Sequence, residues 1–599
     1  MTLRDDSFVR SEVRDGMRVI WNAPVPMADG IVLRADVFSP IDQSKKYPVI
    51  ISHGVYAKGL TYQDGYPMQW KKMISDYPEI LIGSSNKYQA WEVTDPERWV
   101  PHDYVVVRVD SRGAGWSEGV LDPMSPLEAE DFCQSIEWAG SQPWSNGSVG
   151  VLGISYYSHM AWLAAERAPN ALKAIIPWEG FVDLYRDATY HGGILSEFAK
   201  RWASIQAVTV QYGLGNRAKK NPHTNESIAG PVNLTDEELS KNRRDLYEQS
   251  VLQPFDSDWW QSRSADPRKI KIPFLSCANW GGMGIHPRGN FSGFTESPAQ
   301  HKWLEVHGDT HWSLFSSNYG LDLQKRFFDY FLKGIENGWL DRPPVLLKIR
   351  HVDGSFEDRT EKEWPIARTQ WIPHFLNAES KSIATENLQK HSAISYESFG
   401  EGVVFRSKPL LNQIEITGPI VAKLFIESTS EDADLFLTVL IFDPNGKEVT
   451  FQGALDPNTP PAMGWLRASH RKLDVGKSKS WQPVHLHIDS EPLKPGQIIE
   501  LDIEILPTSL VLPVGWTIGL SVRGKDYEYA GHVDDFGQQF YYATRGTGGM
   551  THNEIRNRSP EKFNSKVTLH TGGQTPSCLI LPIIPSPTST KTEIFYGAC

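Results

Sequence analysis

Short apolar runs alternate with amphipathic stretches through the first half of the chain. The runs YPVIISHG (47–54) and YVVVRVD (104–110) are almost uninterrupted, as is typical of strands buried on both faces of a parallel sheet. Between later runs, residues 125–140 have helical spacing, with Ser125 placed as an N-cap and Glu128 three residues on, as in a capping box. Strands that alternate with helices predict an α/β fold with a parallel sheet.

Further runs extend this alternation to about residue 334. Residues 27–40 predict a hairpin around the turn dipeptide Asp29-Gly30. Three more strands and a closing helix are expected in LKAIIPW (172–178), KIPFLSCANW (271–280), KWLEVHGD (302–309) and YGLDLQKRFFDYFLKG (319–334).

Two changes in the pattern of apolar and polar residues predict the domain organisation. Between the strands, residues 195–213 and 235–251 look helical, so we expect an inserted helical cap over residues 185–268. The sheet-forming core then comprises residues 1–184 and 269–345. After residue 345, short alternating runs separated by Pro, Gly, Asn and Asp predict a C-terminal β-sandwich or jelly roll over residues 346–599.

Composition excludes several classes of partner. A chain of 599 residues is too long for a single hydrophobic core, so two or three domains are expected. The net charge of −12 disfavours binding to nucleic acid. No apolar run approaches the length of about 18 residues needed to span a membrane, and the first residues do not resemble a secretory signal. Four widely spaced cysteines form no metal or disulfide pattern. We therefore expect a cytoplasmic protein.

The stretch VGVLGISYYS (149–158) carries the main candidate chemistry. An apolar strand ends in Gly-Ile-Ser and turns at once into a helix, which is the arrangement of a nucleophile elbow with Ser155 at its tip. The usual second glycine is replaced by Tyr157. The alternative is that Ser155 only caps a helix.

Several segments together resemble one family over nearly the whole length. They are residues 27–40, DSRGAGWSEG (110–119), residues 136–158, GFVDLYRDATYHGGI (180–194), GIHPRGNFSGF (284–294) and the sandwich-like C-terminal third. The chain resembles the cocaine esterase and X-prolyl dipeptidyl-peptidase family of serine hydrolases. The resemblance implies an α/β-hydrolase core, a helical cap, a jelly-roll domain, and hydrolysis of esters or amides without a cofactor.

The resemblance also implies roles for individual residues. Ser155 is the expected nucleophile. His311, which follows the last core strand by a short loop, is the expected base, and His307 is the competing choice. The oxyanion hole is expected to combine the Tyr156 backbone N–H with the hydroxyl of Tyr56, in a segment similar to the family's Tyr-x-Lys.

The position of the triad acid departs from the family. Gly282 stands where an aspartate is expected, and glycine cannot orient an imidazole. We expect Glu179, at the end of the preceding strand, to replace it, although a structural ion pair with Arg186 or Arg288 is an alternative. Asp309 is the second candidate acid. A third possibility is a Ser–His dyad, or an enzyme that no longer hydrolyses its substrate and uses the pocket for acyl transfer, cyclisation or isomerisation.

Other histidines that could be candidate metal ligands are interpreted as structural. His53, His191 and His286 lie at predicted strand or loop ends, but no metal-binding spacing connects them, so we expect no catalytic metal and no cofactor. Five aromatic residues are candidates for the lining of a substrate pocket: Trp91, Tyr157, Trp178, Trp202 and Trp280.

The sequence therefore predicts a serine-dependent ester hydrolase acting on a small acyl substrate, with peptidase or amidase activity as a variant. One alternative is an acyl transferase, cyclase or isomerase that uses the same pocket. Another is a non-catalytic binding protein with a degenerate triad. A homodimer is compatible with the family.

Overall fold

The first sheet occupies the N-terminal part of the chain. The computed structural model describes residues 8–531, 545–547 and 549–585. The sheet has eleven strands. In chain order they are β1 (Arg10–Arg14), β2 (Met17–Pro26), β3 (Val32–Ser39), β4 (Tyr47–Gly54), β5 (Val105–Asp110), β6 (Ser145–Ile154), β7 (Leu172–Trp178), β8 (Phe274–Asn279), β9 (Lys302–His307), β10 (Val345–Arg350) and β11 (Phe356–Glu361).

The middle of this sheet is parallel. Its spatial order is β1-β2-β3-β5-β4-β6-β7-β8-β9-β10-β11, parallel from β5 to β10 and antiparallel at both ends. All residues of β4, β5 and β8 are buried, as their continuous apolar runs predict. Because parallel strands end at one edge, the residues after β6, β7, β8 and β9 are brought together there.

Helices cover the sheet and form the insertion. They are α1 (Tyr62–Gly65), α2 (Pro67–Asp76), α3 (Pro96–Trp99), α4 (Pro126–Ser141), α5 (Tyr156–Arg167), α6 (Phe198–Trp202), α7 (Asp236–Lys241), α8 (Leu246–Val251), α9 (Asp258–Gln261), α10 (Pro287–Glu296), α11 (Ser313–Ser316), α12 (Asn318–Lys333) and α13 (Pro560–Phe563). The helix expected over residues 195–213 is broken after α6 into a π-helical turn (Ala203–Ala207) and a 3-10 turn (Val208–Val210). The β-branched run 208–210 disfavours continued α-helix there.

Only one of the two hydrogen bonds of the capping box predicted at the start of α4 is present. Ser125 Oγ accepts a hydrogen bond from the Glu128 N–H at 3.2 Å, as expected. The Glu128 carboxylate does not complete the capping box, because it turns into the core and accepts hydrogen bonds from Ser111 and Tyr156. Burial raises the pKa of Glu128 to about 7. The sequence spacing was therefore right about the helix start and wrong about this carboxylate.

A second sheet forms the C-terminal part. Its eleven strands are Gln370–Asn377, Ser382–Ala384, Ser392–Glu397, Val403–Ser407, Ile414–Ser428, Asp434–Phe442, Ala462–Arg467, Ile499–Leu512, Thr517–Arg523, Lys566–Thr571 and Cys578–Ile584. The last strand pairs both with Gln370–Asn377 and with Ile414–Ser428, so nine of the strands close into a barrel-like ring. The all-β character matches the expectation, whereas jelly-roll topology stays a prediction. The first sheet also continues to Glu361, beyond the boundary expected at residue 345.

The C-terminal part contacts the edge of the first sheet where the parallel strands end. The Ala454 N–H donates to the Gly281 carbonyl, and the Ala454 carbonyl accepts from the His311 N–H, both at 3.1 Å. A Cβ at Gly281 would lie 2.4 Å from the Gly453 Cα, so the two backbones touch. The loop around residue 454 therefore helps to hold the turn after β8. Among the described residues, no helix is long and apolar enough to cross a membrane.

A buried ion cluster stabilises the second sheet. Asp434 binds Arg467 through two contacts of 2.8 and 3.0 Å and Arg558 through one of 2.9 Å. All three side chains are buried. Removing the shared carboxylate would leave two guanidinium groups short of a partner in a dry environment.

We expect Asp434→Asn to lower the free energy of unfolding by about 3–5 kcal/mol, measured by urea denaturation. The matched control is Glu379→Gln, which breaks the exposed Glu379–Lys390 pair (3.0 Å) and should change stability by less than about 1 kcal/mol. Equal effects of the two substitutions would contradict a structural role for the buried cluster.

Candidate active site

Ser155 stands at a sharp bend between β6 and α5. Its backbone has φ 58° and ψ −110°, a sparsely populated region for a residue with a side chain. The Ser155 N–H donates to the carbonyls of Trp178 (3.1 Å) and Glu179 (3.0 Å), which fixes the bend against the end of β7. This is the geometry of a nucleophile elbow, in which the hydroxyl is held at the carboxyl edge of the sheet.

Glycines in two neighbouring strands make room for Tyr157, the residue that replaces the second glycine of the usual elbow. A Cβ at Gly153 would lie 2.4 Å from the Tyr157 Cβ, and one at Gly54 would lie 2.6 Å from the Tyr157 Cε1. Both separations are too short for a side chain. The tight approach normally provided by the missing glycine is thus supplied by Gly54 and Gly153.

His286 is the residue that contacts the Ser155 hydroxyl. Its Nε2 lies 3.0 Å from Ser155 Oγ, within hydrogen-bonding distance. His286 follows the turn after β8 and immediately precedes α10, close to Gly282, where the family acid was expected. Burial, and then the neighbouring His311, keep the pKa of His286 well below its usual value, which favours the neutral imidazole.

His311, the base expected from the sequence, lies beside His286. The two ring centroids are 5.4 Å apart, with the planes inclined by 27°. The His311 Nε2 faces Glu92 Oε1 at 3.1 Å, and its Nδ1 lies 3.8 Å from Glu179 Oε2. The structure thus brings His311 to the expected site, but the ring that reaches the hydroxyl is that of His286.

Glu179, the acid expected from the sequence, lies behind both histidines. Its Oε1 is held by the Asn279 amide at 3.1 Å and by His307 Nε2 at 2.8 Å. Its Oε2 points between the histidines, 4.0 Å from His286 Nδ1 and 3.8 Å from His311 Nδ1. The alternative of an ion pair with Arg186 or Arg288 is not observed, since these arginines bind Asp183, Asp187, Asp256 and Glu504.

His307, the competing base, is a support for Glu179. Its two ring nitrogens contact Glu305 Oε2 at 2.7 Å and Glu179 Oε1 at 2.8 Å. Burial alone would lower the pKa of His307, but the two carboxylates outweigh it and raise the pKa to about 9. A cationic His307 between Glu305 and Glu179 balances part of the buried negative charge.

Asp309, the second candidate acid, faces away from the histidines. Its carboxylate accepts hydrogen bonds from the Tyr77 hydroxyl at 2.7 Å and from the Thr310 N–H at 2.6 Å. Its backbone carbonyl accepts from the Asn279 amide at 2.8 Å. In the part of the chain that the structure describes, Asp309 therefore shapes the loop rather than orienting an imidazole.

Both expected oxyanion donors lie next to Ser155 in the fold. Tyr156 is the first residue of α5, so its N–H has no acceptor within the helix. The Tyr56 hydroxyl accepts a hydrogen bond from Trp202 Nε1 at 3.0 Å, and Tyr56 lines the same cavity as Ser155. The Tyr56 and Tyr156 rings pack edge to face with centroids 5.8 Å apart.

Ser155 opens into a cavity of about 240 Å³. Its lining is mainly aromatic on one side and titratable on the other, and comprises Tyr56, Trp91, Glu92, Ser155, Phe198, Trp202, Gln206, Ile285, His286, His311 and Leu455. The inserted segment contributes Phe198, Trp202 and Gln206, and the C-terminal part contributes Leu455. Of the other expected pocket aromatics, Tyr157 lines a neighbouring cavity, whereas Trp178 and Trp280 are fully buried.

Sequence reasoning missed two side chains of this site, His286 and Glu92. His286 was considered only as part of a metal cluster with His53 and His191, but His191 instead contacts His552 at 2.7 Å. The available signal was that His286 follows the same strand as the missing aspartate by a few residues. Glu92 lies in a loop with a left-handed backbone (φ 62°), which no local pattern indicates.

Comparisons with known proteins agree with this architecture. Residues 29–313 match the model of the X-Pro dipeptidyl-peptidase (S15 family), and residues 337–580 match that of the X-Pro dipeptidyl-peptidase C-terminal non-catalytic domain. Cocaine esterase of Rhodococcus sp. is 24% identical over 94% of this chain and 98% of its own length. An aminopeptidase from a Thaumarchaeota archaeon shares the fold, with TM-score 0.65 and 15% identity over 96% of each chain.

A nearer solved relative is a CocE/NonD family hydrolase from Staphylococcus aureus. It is 31% identical, with TM-score 0.81, and the alignment covers 96% of both chains. The similarity spans the first sheet, the insertion and the C-terminal part together. The chain therefore belongs to the CocE/NonD family of hydrolases, the group related to cocaine esterase and the S15 peptidases.

Proposed function

We propose that the protein is a serine-dependent hydrolase that cleaves an ester, or an activated amide, of a small molecule through an acyl-enzyme intermediate. The observation that carries this proposal is the strained elbow at Ser155, whose Oγ lies 3.0 Å from His286 Nε2. A serine hydroxyl needs a base at such a distance to act as a nucleophile near neutral pH.

His286 acts as the base in this mechanism. The neutral imidazole takes the Ser155 proton at Nε2 while Oγ attacks the substrate carbonyl, and the resulting oxyanion accepts hydrogen bonds from Tyr56 and the Tyr156 N–H. His286 then gives the proton to the leaving alcohol or amine as the carbon–heteroatom bond breaks. Water, deprotonated by the same nitrogen, releases the acid and restores Ser155.

Glu179 stabilises the imidazolium that forms at each proton transfer. Its Oε2 is 4.0 Å from His286 Nδ1, so a movement of about 1 Å would make a direct hydrogen bond. Glu179 directly follows β7, one strand away from the usual acid position, which follows β8. A relocated acid explains how the family geometry functions with glycine at position 282.

The cavity supports a small substrate with an apolar acyl or alcohol part. Its Tyr56, Trp91 and Trp202 walls suit a compact aromatic or aliphatic group rather than a long peptide. Esters are favoured over amides because an alcohol leaves more readily than an amine. An acyl transferase would form the same acyl-enzyme, and ¹⁸O from labelled water in the product acid distinguishes hydrolysis from transfer.

Substitution of Ser155 tests its role as the nucleophile. Ser155→Ala should lower the turnover of a chromogenic acyl ester by about 10⁴-fold or more and abolish covalent labelling by a fluorophosphonate. Labelling is read as a mass increase of the intact protein. Ester turnover by the variant at the wild-type rate would remove Ser155 from the mechanism.

Substituting each histidine by itself distinguishes which of the two acts as the base. His286→Gln should reduce kcat/KM by about 10³–10⁴-fold, because it removes the only base at the hydroxyl in the described site. His311→Gln keeps this contact and should cost about tenfold. If His311→Gln is instead the more damaging change, the base is His311, as the sequence pattern suggested.

Substitution of Glu179 tests its role as the acid. Glu179→Gln should lower kcat by about 10²–10⁴-fold with a smaller change in KM, because it weakens stabilisation of the imidazolium in the transition state. Asp309→Asn is the matched control, since its carboxylate faces Tyr77, and it should change kcat less than threefold or so. A larger loss with Asp309→Asn would reassign the acid.

A further inference from the structure

Glu179, His286 and His311 form a compact set of metal-ligating groups. Each offers one ligand atom, and these atoms lie within 4.8 Å of one another. All three side chains are almost completely buried. They come from three different segments, the end of β7, the turn before α10 and the loop after β9.

The atoms that face the centre of this set have no hydrogen-bond partner among the described residues. They are Glu179 Oε2, His286 Nδ1 and His311 Nδ1. Buried polar atoms are nearly always paired, because an unpaired one costs about 1–3 kcal/mol. Three such atoms that converge on one point therefore indicate that the point suits a bound ion.

The distances are also close to those between the ligands of a transition metal. Glu179 Oε2 is 4.0 Å from His286 Nδ1 and 3.8 Å from His311 Nδ1. Ligands at about 2.0–2.2 Å from a tetrahedral zinc ion are about 3.3–3.6 Å apart, so small side-chain rotations would complete the geometry. Imidazole ligands select zinc over magnesium or calcium, and two histidines with one glutamate leave a fourth position open.

The surrounding residues would support the ligands. His311 Nε2, the nitrogen away from the centre, faces Glu92 Oε1 at 3.1 Å. The other oxygen of Glu179 is held by Asn279 and His307. A carboxylate on the outer nitrogen of a ligating histidine is the common second-layer contact of zinc sites.

We propose that Glu179, His286 and His311 form a binding site for one Zn²⁺ ion, and that its occupancy switches off hydrolysis at Ser155. The binding site stands independently of the proposed function, whereas the inhibition rests on it. In the hydrolase, His286 carries its proton on Nδ1 and accepts the Ser155 proton at Nε2. Zinc at Nδ1 forces the proton of the neutral ring onto Nε2, which then donates to Ser155 Oγ and cannot accept from it.

Binding is tested on the full chain after removal of metals with a chelator. Equilibrium dialysis against buffered Zn²⁺, with elemental analysis, should give one ion per chain in the wild type and in Ser155→Ala. Glu179→Gln, His286→Gln and His311→Gln should each weaken binding by about 100-fold, with folding checked by circular dichroism. Unchanged affinity in all three folded variants would overturn the site.

A control variant addresses other histidines. The exposed His391 and the buried His570 of the second sheet have ring nitrogens 3.1 Å apart, so this pair is an alternative place for zinc. His391→Ala should retain the full stoichiometry and affinity. Loss of the ion in this variant, with retention in His286→Gln, would place zinc at the surface and contradict the proposal.

X-ray absorption of the zinc-loaded wild type provides a measurement that needs no variant. We expect a first shell of nitrogen and oxygen at about 2.0–2.1 Å with the scattering pattern of two imidazoles. A shell with one imidazole or none would overturn the assignment of His286 and His311 as joint ligands.

Inhibition is tested by the rate of fluorophosphonate labelling at Ser155. Stoichiometric Zn²⁺ should slow labelling of the wild type at least tenfold, and excess chelator should restore it. If zinc binds at the three ligands but the metal-free protein neither labels nor hydrolyses esters, the proposed function fails and the metal site stands. If the metal-free protein hydrolyses esters and zinc leaves the rate unchanged, the proposed switch is wrong.

Discussion

The conformation of one residue organises the site. Ser155 can hold a left-handed backbone only because its N–H is fixed to the carbonyls of Trp178 and Glu179 and because Gly54 and Gly153 leave space for Tyr157. The same contacts tie Ser155 to the strand end that carries Glu179. Glu92, Glu179 and Asp309, which lie near the site, also have positive φ angles, as do residues elsewhere in the chain. Such strain persists only where the neighbouring structure over-determines it.

The second constraint is buried charge. Four groups, Glu92, Glu179, Glu305 and His307, are packed in a small volume with two further histidines, and each isolated charge there would be costly. The ring nitrogens of His307 contact the carboxylates of Glu305 and Glu179. Burial raises the pKa of Glu92, although the contacts with His311 and Trp91 act in the opposite direction. The network thus fixes the Glu179 carboxylate beside His286 through its contacts with Asn279 and His307.

The fold was largely predictable because the elements that form it are specified locally. The runs of β4 and β5, the turn at Asp29-Gly30 and the Ser125 cap each follow from a few neighbouring residues, and each is present. Glu128 failed as a capping-box partner because Ser111 and Tyr156, distant in sequence, compete for its carboxylate. The extension of the first sheet to Glu361 likewise depends on the pairing of β11 with β10. The sequence pattern did not indicate this pairing, because the hydrophobic pattern changes after residue 345.

The site was predictable only where strand ends determine position. Ser155 and Glu179 follow β6 and β7 directly, so the parallel sheet brings them together. His286 is seven residues beyond the end of β8, after a turn whose course is set by Gly281 against the C-terminal part, and sequence spacing contains no information about that contact. In the proposed mechanism, Glu179 after β7 takes the role that the resemblance assigned to an aspartate at position 282. The turn after β8 contributes His286 instead, whose Nε2 lies 3.0 Å from Ser155 Oγ.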